Sequence, residues 1–383
     1  MKVSLFLTLL LLISTCNTPD NQNYKIDDLN TTFGFLEAPK GFDVEIFAEG
    51  VEGARQMALS PNGIIYVGTR RTGDNGKVYA VIDDDNDFRA DTVKTIASSL
   101  RMPNGVAFLD NDLYVAEVSK IWKYENVDQH LNSPQKPILV NDTFPTESSH
   151  GWKYIGFGPD KKLYVPVGAP CNVCNHEDEN PIYASLTRMD PDGANREIIA
   201  HGIRNTVGFT WHPETGNLWF TDNGRDWMGD NIPPCELNEL SIEGSHFGFP
   251  YLHGNDIWDP EFGTDNKIRE REFVKPIQEL GPHVAPLDIF FYTGNMFPEF
   301  YRNQAFIAEH GSWNRSTKIG YQISIVTFDK TGKATSYQPF IKGWLQGEDK
   351  IMGRPVAFLQ MPDGSVLISD DYSGTIYRVS YKG

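Results

Sequence analysis

A unit that recurs along the chain constrains the fold more than any other feature. It consists of a short apolar strand, a turn rich in Pro, Asp, Asn and Gly, and a second apolar strand. Met57-Ala58-Leu59 leads through Ser60-Pro61-Asn62-Gly63 into residues 64–67, and Val106-Ala107-Phe108 through Asp110-Asn111-Asp112 into 113–115. Ile155-Gly156-Phe157 leads through Pro159-Asp160 into 163–165, and Val207-Gly208-Phe209 through Pro213-Glu214-Thr215-Gly216 into 218–220. Val356-Ala357-Phe358 leads through Pro362-Asp363-Gly364 into 366–368, and a weaker copy runs from Asp288-Ile289-Phe290 through Pro298 into 305–308. The first four copies are spaced by about 50 residues and the interval then lengthens, which is in the range of propeller blades. One unit cannot bury its apolar faces alone, so neighbours must stack around an axis. The stretches 77–80, 120–123 and 375–378 read as outer strands.

The expected fold is therefore all-β: a six-bladed β-propeller with four-stranded antiparallel blades, spanning residues 34–383. Residues 34–47 are expected to supply the strand that closes the ring against the last blade. Aromatic residues at 12%, with 34 Gly and 24 Pro, agree with a turn-rich β protein. Two β-sandwich domains are the rival, and the absence of a linker-like shift in composition after Leu29 weighs against it. In a propeller, loops from every blade converge at the mouth of the central channel, and ligand sites favour such concave places.

Charge and cysteines narrow the function. The formal net charge is −17, which excludes nucleic acid as an expected partner, because phosphate binding needs clustered Lys and Arg. The N-terminal run MKVSLFLTLLLLISTC has a positive Lys2 and an apolar stretch over 5–13. It reads as a secretory signal, too short for a membrane span. Ile-Ser-Thr before Cys16 resembles a bacterial lipobox, with Thr15 where a smaller residue is usual. The expectation is a signal peptide over 1–16, a lipid anchor on Cys16, and a flexible tether over 17–33. The protein is then exported, as a periplasmic or outer-membrane lipoprotein, with simple secretion as the alternative. Cys171, Cys174 and Cys235 follow. Cys-Asn-Val-Cys is followed by Asn175, not His, so it is not a haem attachment motif. In an exported protein a disulfide is the better expectation, and a pairing of Cys235 with Cys171 or Cys174 is one hypothesis.

The densest chemistry lies in residues 201–251. Arg204-Asn205 enters one strand, and the next strand opens into Thr221-Asp222-Asn223-Gly224-Arg225-Asp226, whose carboxylates and carbonyls suit a hard cation. Taken alone, that loop is an ordinary Asp/Asn/Gly turn. Alongside it stand His150-Gly151-Trp152-Lys153-Tyr154, His310-Gly311-Ser312-Trp313-Asn314-Arg315-Ser316, Gly353-Arg354-Pro355 and Ser369-Asp370-Asp371. Together these resemble the soluble, pyrroloquinoline-quinone-dependent sugar dehydrogenases, in particular the sorbosone/aldose dehydrogenase branch, over nearly everything from Phe35 onward.

The resemblance implies a quinone cofactor (PQQ) on the propeller axis, anchored by Ca²⁺, and oxidation of a sugar at C1. His150 matches the catalytic base, and imidazole suits removal of a hydroxyl proton near neutral pH. Arg204 and Asn205 match quinone contacts, with Arg204 also stabilising developing negative charge. Asn223, Arg354 and, at the place of a family lysine, Arg315 or Lys318 complete the cofactor set. Gly224 and Arg225 match positions whose backbone carbonyls bind Ca²⁺, with Asp222, Asp226, Asp230 and Glu236 nearby. The chain departs from the family at Met352, where some members carry Arg, and at Cys235, where Asp is frequent. Arg55, Gln56, Asn104, His283 and His310 are further candidates for the channel, and Trp227 and Trp313 for stacking on a sugar. The implied partners are a small sugar and an external electron acceptor. Two alternatives stay open: a six-bladed metal-dependent lactonase, and a propeller that serves only as an interaction platform.

Overall fold

The computed structural model describes residues 29–133 and 135–383. The signal peptide, Cys16 and tether residues 17–28 lie outside the described residues.

Six antiparallel sheets form the six blades. Blade one comprises Ala54–Leu59, Ile65–Thr69, Val78–Ile82 and Thr92–Ala97. Blade two comprises Gly105–Leu109, Asp112–Ala116, Ile121–Tyr124 and Ile138–Asn141. Blade three comprises Gly156–Phe157, Leu163–Val167, Ser185–Met189 and Glu197–His201, and Ser245–His246 adds a parallel fifth strand at its edge. Blade four comprises Phe209–Trp211, Leu218–Asp222, Cys235–Leu240 and Gln278–Leu280. Blade five comprises Pro286–Phe291, Ala305–Glu309, Gln322–Phe328 and Ala334–Ile341. Blade six is built from both ends of the sequence: Pro355–Gln360, Val366–Asp370 and Thr375–Tyr381, completed by Phe42–Ala48. That last pairing is the expected ring closure.

The second strand of most blades is buried along its whole length, as in Ile65–Thr69, Leu163–Val167 and Val366–Asp370. Each is covered on both faces by neighbouring blades, which is why these segments read as continuous apolar runs and not as an alternating pattern. An apolar cluster fills each gap between blades. The largest joins blades five and six through Phe306, Ile323, Phe340, Ile368 and Val379. Burying each such side chain contributes about 1.5–3 kcal/mol.

Two expectations change. Residues 29–33, assigned to the tether, form a strand, Leu29–Phe33, that pairs with Leu36–Pro39. Leu36 and Ala38 sink into the cluster between blades five and six, and this anchors the hairpin. The disulfide joins Cys171 to Cys174, and Cys235 is a buried free thiol. Cys235 starts the third strand of blade four, inside the apolar cluster between blades four and five.

Candidate active site

In every blade the first strand begins, and the second strand ends, at the same face of the ring. This follows from the antiparallel order, and it collects residues from all six blades at one mouth. Arg55, at the start of its strand, and Arg70, His150, Arg204, His310, Arg354 and Asp371, in the adjoining loops, lie there. Several of them carry strained backbone. His150, Trp227, His283, Ala285 and Tyr321 all adopt positive φ without being glycine, a conformation that clusters at functional sites.

Arg204 is fixed from every side. Its backbone N–H donates to Asp222 Oδ2 at 2.8 Å, and that of Asn205 donates to Asp222 Oδ1 at 2.6 Å. The Arg204 guanidinium donates to Asn223 O at 3.0 Å, to Asn172 O at 3.2 Å and to Asn172 Oδ1 at 2.6 Å. Asn223 Nδ2 donates to Asn205 O at 2.9 Å. Burial pushes Asp222 up to about 6, against the N–H groups of Asn205 and Arg204, which favour its charged form. Arg204, Asn205 and Asn223 are thus brought together.

His150 stands beside them, half-buried, at φ 47°. Its Nδ1 lies 2.8 Å from Ala169 O. A carbonyl only accepts, so Nδ1 carries the proton and Nε2 presents a lone pair. Burial, and then the charge of Arg204, lower its pKa to about 3, while the Ala169 carbonyl pulls the other way. The ring is therefore a neutral acceptor at neutral pH. Gly168 makes room for it: a Cβ there would lie 2.6 Å from His150 Cβ and 3.3 Å from Asn205 Oδ1.

A second cluster joins blades one, five and six. Asp371, fully buried, forms an ion pair with Arg55, whose Nε lies 2.9 Å away, and accepts from Arg70 Nη1 at 3.2 Å and His310 Nε2 at 2.9 Å. Arg354 lies 3.4 Å from His310 Nδ1, donates to Tyr321 Oη at 3.1 Å, and covers the Tyr321 ring at 5.2 Å. Its backbone N–H donates to Asp370 Oδ1 at 2.9 Å. Burial opposes the charge on Asp371, yet His310 and Arg55 hold its pKa well below the carboxylate range. Burial lowers His310 to about 4 despite Asp371. It also lowers Arg55; Asp371 counters this, and Arg70 and Arg354 add to the lowering. Two guanidinium groups and one imidazole thus share the Asp371 carboxylate, with the Arg354 guanidinium beside His310, an arrangement suited to an anionic ligand. Arg55 also lies over the Trp152 ring at 5.6 Å, and Trp152 Nε1 is buried without a partner. Asn172 Nδ2, beside Arg204, is likewise buried and unpartnered. Such orphaned donors, with these arginines, fit an oxygen-rich anion such as a tricarboxylic quinone.

The remaining candidates fall elsewhere. Arg315 donates to Asp230 O and to Asn231 Oδ1, at 3.3 Å for the latter, so it stitches two rim loops together. Lys318 pairs with Asp349 at 2.7 Å. Arg225 turns its side chain away to the buried Asp259, 2.5 Å distant, which also meets His253 Nε2 at 3.0 Å. Gly224 packs against Pro234, where a Cβ would lie 2.6 Å from the carbonyl oxygen. The nearby carboxylates are engaged: Asp226 with His283 at 3.3 Å, Asp230 with Ser316, and Glu236 with Asn238 and Gly254. Burial, then Asp222, pushes Glu236 up to about 8. Among the described residues, the one group of three or more metal-capable side chains is Asp83, Asp85 and Asp91, at the far end of blade one. A cation at the mouth would therefore rest on backbone oxygens. Gln56 and Asn104 face neighbouring blades: Gln56 Nε2 donates to Ile155 O at 2.6 Å, and Asn104 Nδ2 to Lys153 O at 2.8 Å. Trp227 and Trp313 stand 67% and 69% exposed on the rim.

Sequence reading gave no role to Arg70, Asn172, Tyr321 or Asp371. Asp371 lies in the quoted Ser-Asp-Asp run, and Asn172 lies between two cysteines already singled out.

Comparison with known proteins places the fold. The calcium structure of a carbohydrate-active enzyme of family AA12 from Trichoderma reesei superposes with a TM-score of 0.78 at 20% identity, over 92% of this chain and 98% of that one. A pyrroloquinoline quinone-dependent sugar dehydrogenase of Hypocrea jecorina is 23% identical over 368 residues, covering 82% of this chain and 80% of that protein. The fold is thus that of the quinone-dependent sugar dehydrogenases, at distant sequence similarity. An uncharacterized protein of Borreliella burgdorferi is 37% identical over 360 residues, 91% of each chain. The model of a domain of unknown function, DUF7133, matches residues 29–380, and the chain belongs to that family.

Proposed function

We propose that this protein is a pyrroloquinoline-quinone-dependent dehydrogenase that oxidises C1 of an aldose or sorbosone-like sugar. One observation carries the reading. A neutral imidazole, with Nδ1 fixed and Nε2 open, stands beside a fully bonded arginine, at a mouth that also gathers Arg55, Arg70 and His310 around the Asp371 carboxylate, with Arg354 next to His310.

The residues take definite parts. Arg204, Asn205, Asn223 and Arg354 would hold the cofactor, with Arg55 and Arg70 adding positive potential. The backbone carbonyls of Gly224 and Arg225 would hold Ca²⁺. When bound, the quinone supplies the carbon that accepts hydride. His150 Nε2 takes the proton from the C1 hydroxyl. An anionic ligand offsets the charge of Arg204 and so raises the His150 pKa toward the working pH, which makes the ring a better base in the loaded protein. Trp227 and Trp313 offer faces for a sugar ring at the rim. Electrons leave to an external acceptor, and export with a lipid on Cys16 belongs to the same reading. A lactonase would need side-chain carboxylates free to hold its metal, and those at this mouth are committed to other partners.

Reconstitution tests the proposal. Pyrroloquinoline quinone with Ca²⁺ should raise Tm and produce chelator-sensitive dye reduction on a panel of aldoses and sorbosone. Saturation at 100 times Kd adds about 2.7 kcal/mol of stability. His150→Ala should keep the quinone but lose roughly 10²–10⁴-fold in kcat. A protein that binds no quinone, or a His150→Ala variant with full turnover, would sink the reading.

A further inference from the structure

The Cys-Asn-Val-Cys motif takes no part in the chemistry just described, yet it touches the site directly. Asn172, enclosed by the Cys171–Cys174 disulfide, is the hub of the Arg204 cluster. Its carbonyl accepts from Arg204 Nε at 3.2 Å. Its Oδ1 accepts both from Arg204 Nη2 at 2.6 Å and from the Asp226 backbone N–H at 3.0 Å. One side chain thereby joins blade three's mouth loop to the arginine and to the loop that carries Gly224 and Arg225.

Little else holds Asn172 in place. It lies between Leu163–Val167 and Ser185–Met189, in a segment without strand structure. Among the described residues, no backbone–backbone hydrogen bond outside regular elements involves residues 170–175. The flanking ties lie at Ala169, whose N–H donates to Arg204 O at 2.8 Å, and at Asn175, whose side chain donates to Tyr251 Oη at 2.9 Å. Between them the disulfide is the one covalent restraint. Both cysteines are partly exposed to solvent, and Cys174 lines a small pocket of about 20 Å³ together with His176, Glu177 and His246.

We propose that Asn172 is a positioning residue for Arg204, and that the Cys171–Cys174 disulfide is a latch that a dithiol can open. In the opening step a thiolate of the dithiol attacks one cysteine sulfur, and the S–S bond breaks as a mixed disulfide forms. The second thiolate of the reductant then displaces that cysteine. The reductant leaves as a cyclic disulfide, oxidised by two electrons, and the two cysteines take up protons as thiols. Asn172 then gains backbone freedom, and Arg204 and the Asp226 N–H lose their shared acceptor. The consequence for quinone affinity rests on the proposed function, whereas the latch itself does not.

The test uses the whole protein, without and with quinone. Amide exchange of Asp226 is followed by mass spectrometry before and after treatment with dithiothreitol, in wild type, Asn172→Ala and Asn172→Asp. Opening the latch should speed that exchange about tenfold or more, as should Asn172→Ala, while Asn172→Asp keeps the acceptor and restores protection. Quinone affinity should fall about tenfold on reduction and in Asn172→Ala, with far-UV dichroism unchanged. A Cys171→Ser/Cys174→Ser variant should behave as the reduced protein does and ignore dithiothreitol. Unchanged Asp226 exchange on confirmed reduction would overturn the latch, whatever the quinone does. Faster exchange in a wild type that binds no quinone would uphold the latch and remove the sugar-dehydrogenase reading.

Discussion

Asp371→Asn isolates the electrostatics of the mouth. The carboxylate is fully buried and meets Arg55 at 2.9 Å, Arg70 at 3.2 Å and His310 at 2.9 Å. The amide keeps the shape and removes the charge. Arg55 is itself buried, with Arg70 and Arg354 close enough to disfavour its charge. Removing one member of a buried ion pair costs about 3–5 kcal/mol, because the other charge is left uncompensated. Arg70 is about a third exposed, so water screens its share, and the lower half of that range is the better expectation. A propeller of this size unfolds with roughly 0.7 kcal/mol/K of entropy, which converts about 3–4 kcal/mol into a Tm drop of about 4–6 °C. Scanning calorimetry should show that drop, and citrate or another tricarboxylate should restore more Tm to the variant than it adds to wild type. A variant melting within 1 °C of wild type, with or without the anion, would refute the claim that this carboxylate balances the arginines.

Three further outcomes follow from the same geometry. Gly168→Ala should displace His150, since the new Cβ meets its Cβ at 2.6 Å; the proposed quinone-dependent turnover should fall at least tenfold while overpacking costs only about 1–3 kcal/mol of stability, a Tm drop of about 1–4 °C. By NMR titration His310 should stay neutral down to about pH 4 and His150 to about pH 3. Both folded values lie below the ordinary imidazole pKa, so the unfolded chain binds more protons, and these two groups withdraw stability as pH falls below about 6.5. Asp371→Asn should lower the His310 midpoint further, because the carboxylate favours imidazolium. Cys235, whose thiol burial pushes up to about 11, should resist iodoacetamide in the native protein and label only after denaturation, as peptide mapping would show.

Most of the architecture was legible because the first two strands of each blade carry the strongest signal. They are buried on both faces, so their apolar runs survive as short blocks around a Pro/Asn/Asp/Gly turn. Outer strands such as Thr92–Ala97 and Ile138–Asn141 are half exposed and lack that signature. The parallel strand Ser245–His246 makes only two residue pairs, too few for any pattern. Residues 29–33 read as tether because LNTTF is short and polar, and its strand depends on the apolar anchor that follows. In the site, His150, Arg204, Asn205, Asn223 and Arg354 do gather at the mouth. Arg315 and Lys318 are charged and close in sequence, yet loop carbonyls and Asp349 claim them. Asn172 was invisible because its role is set by where a disulfide places a carbonyl and an amide, not by side-chain type.

The ring closure also governs when chemistry becomes available. Phe42–Ala48 pairs with Thr375–Tyr381 to complete blade six, and where that blade meets blade one Ser369 Oγ donates to the Arg55 carbonyl at 2.8 Å while Asp371 pairs with the Arg55 guanidinium. These partners stand more than three hundred positions apart, by the 314-residue separation of Ser369 and Arg55. During synthesis from the N-terminus, Arg55 emerges long before Asp371. Such long-range pairing forms late and slowly. A nascent or truncated chain therefore holds unbalanced guanidinium groups and no finished anion site. Only the completed ring brings the arginines and their carboxylate together, so an incomplete molecule has no mouth at which an anionic ligand could dock.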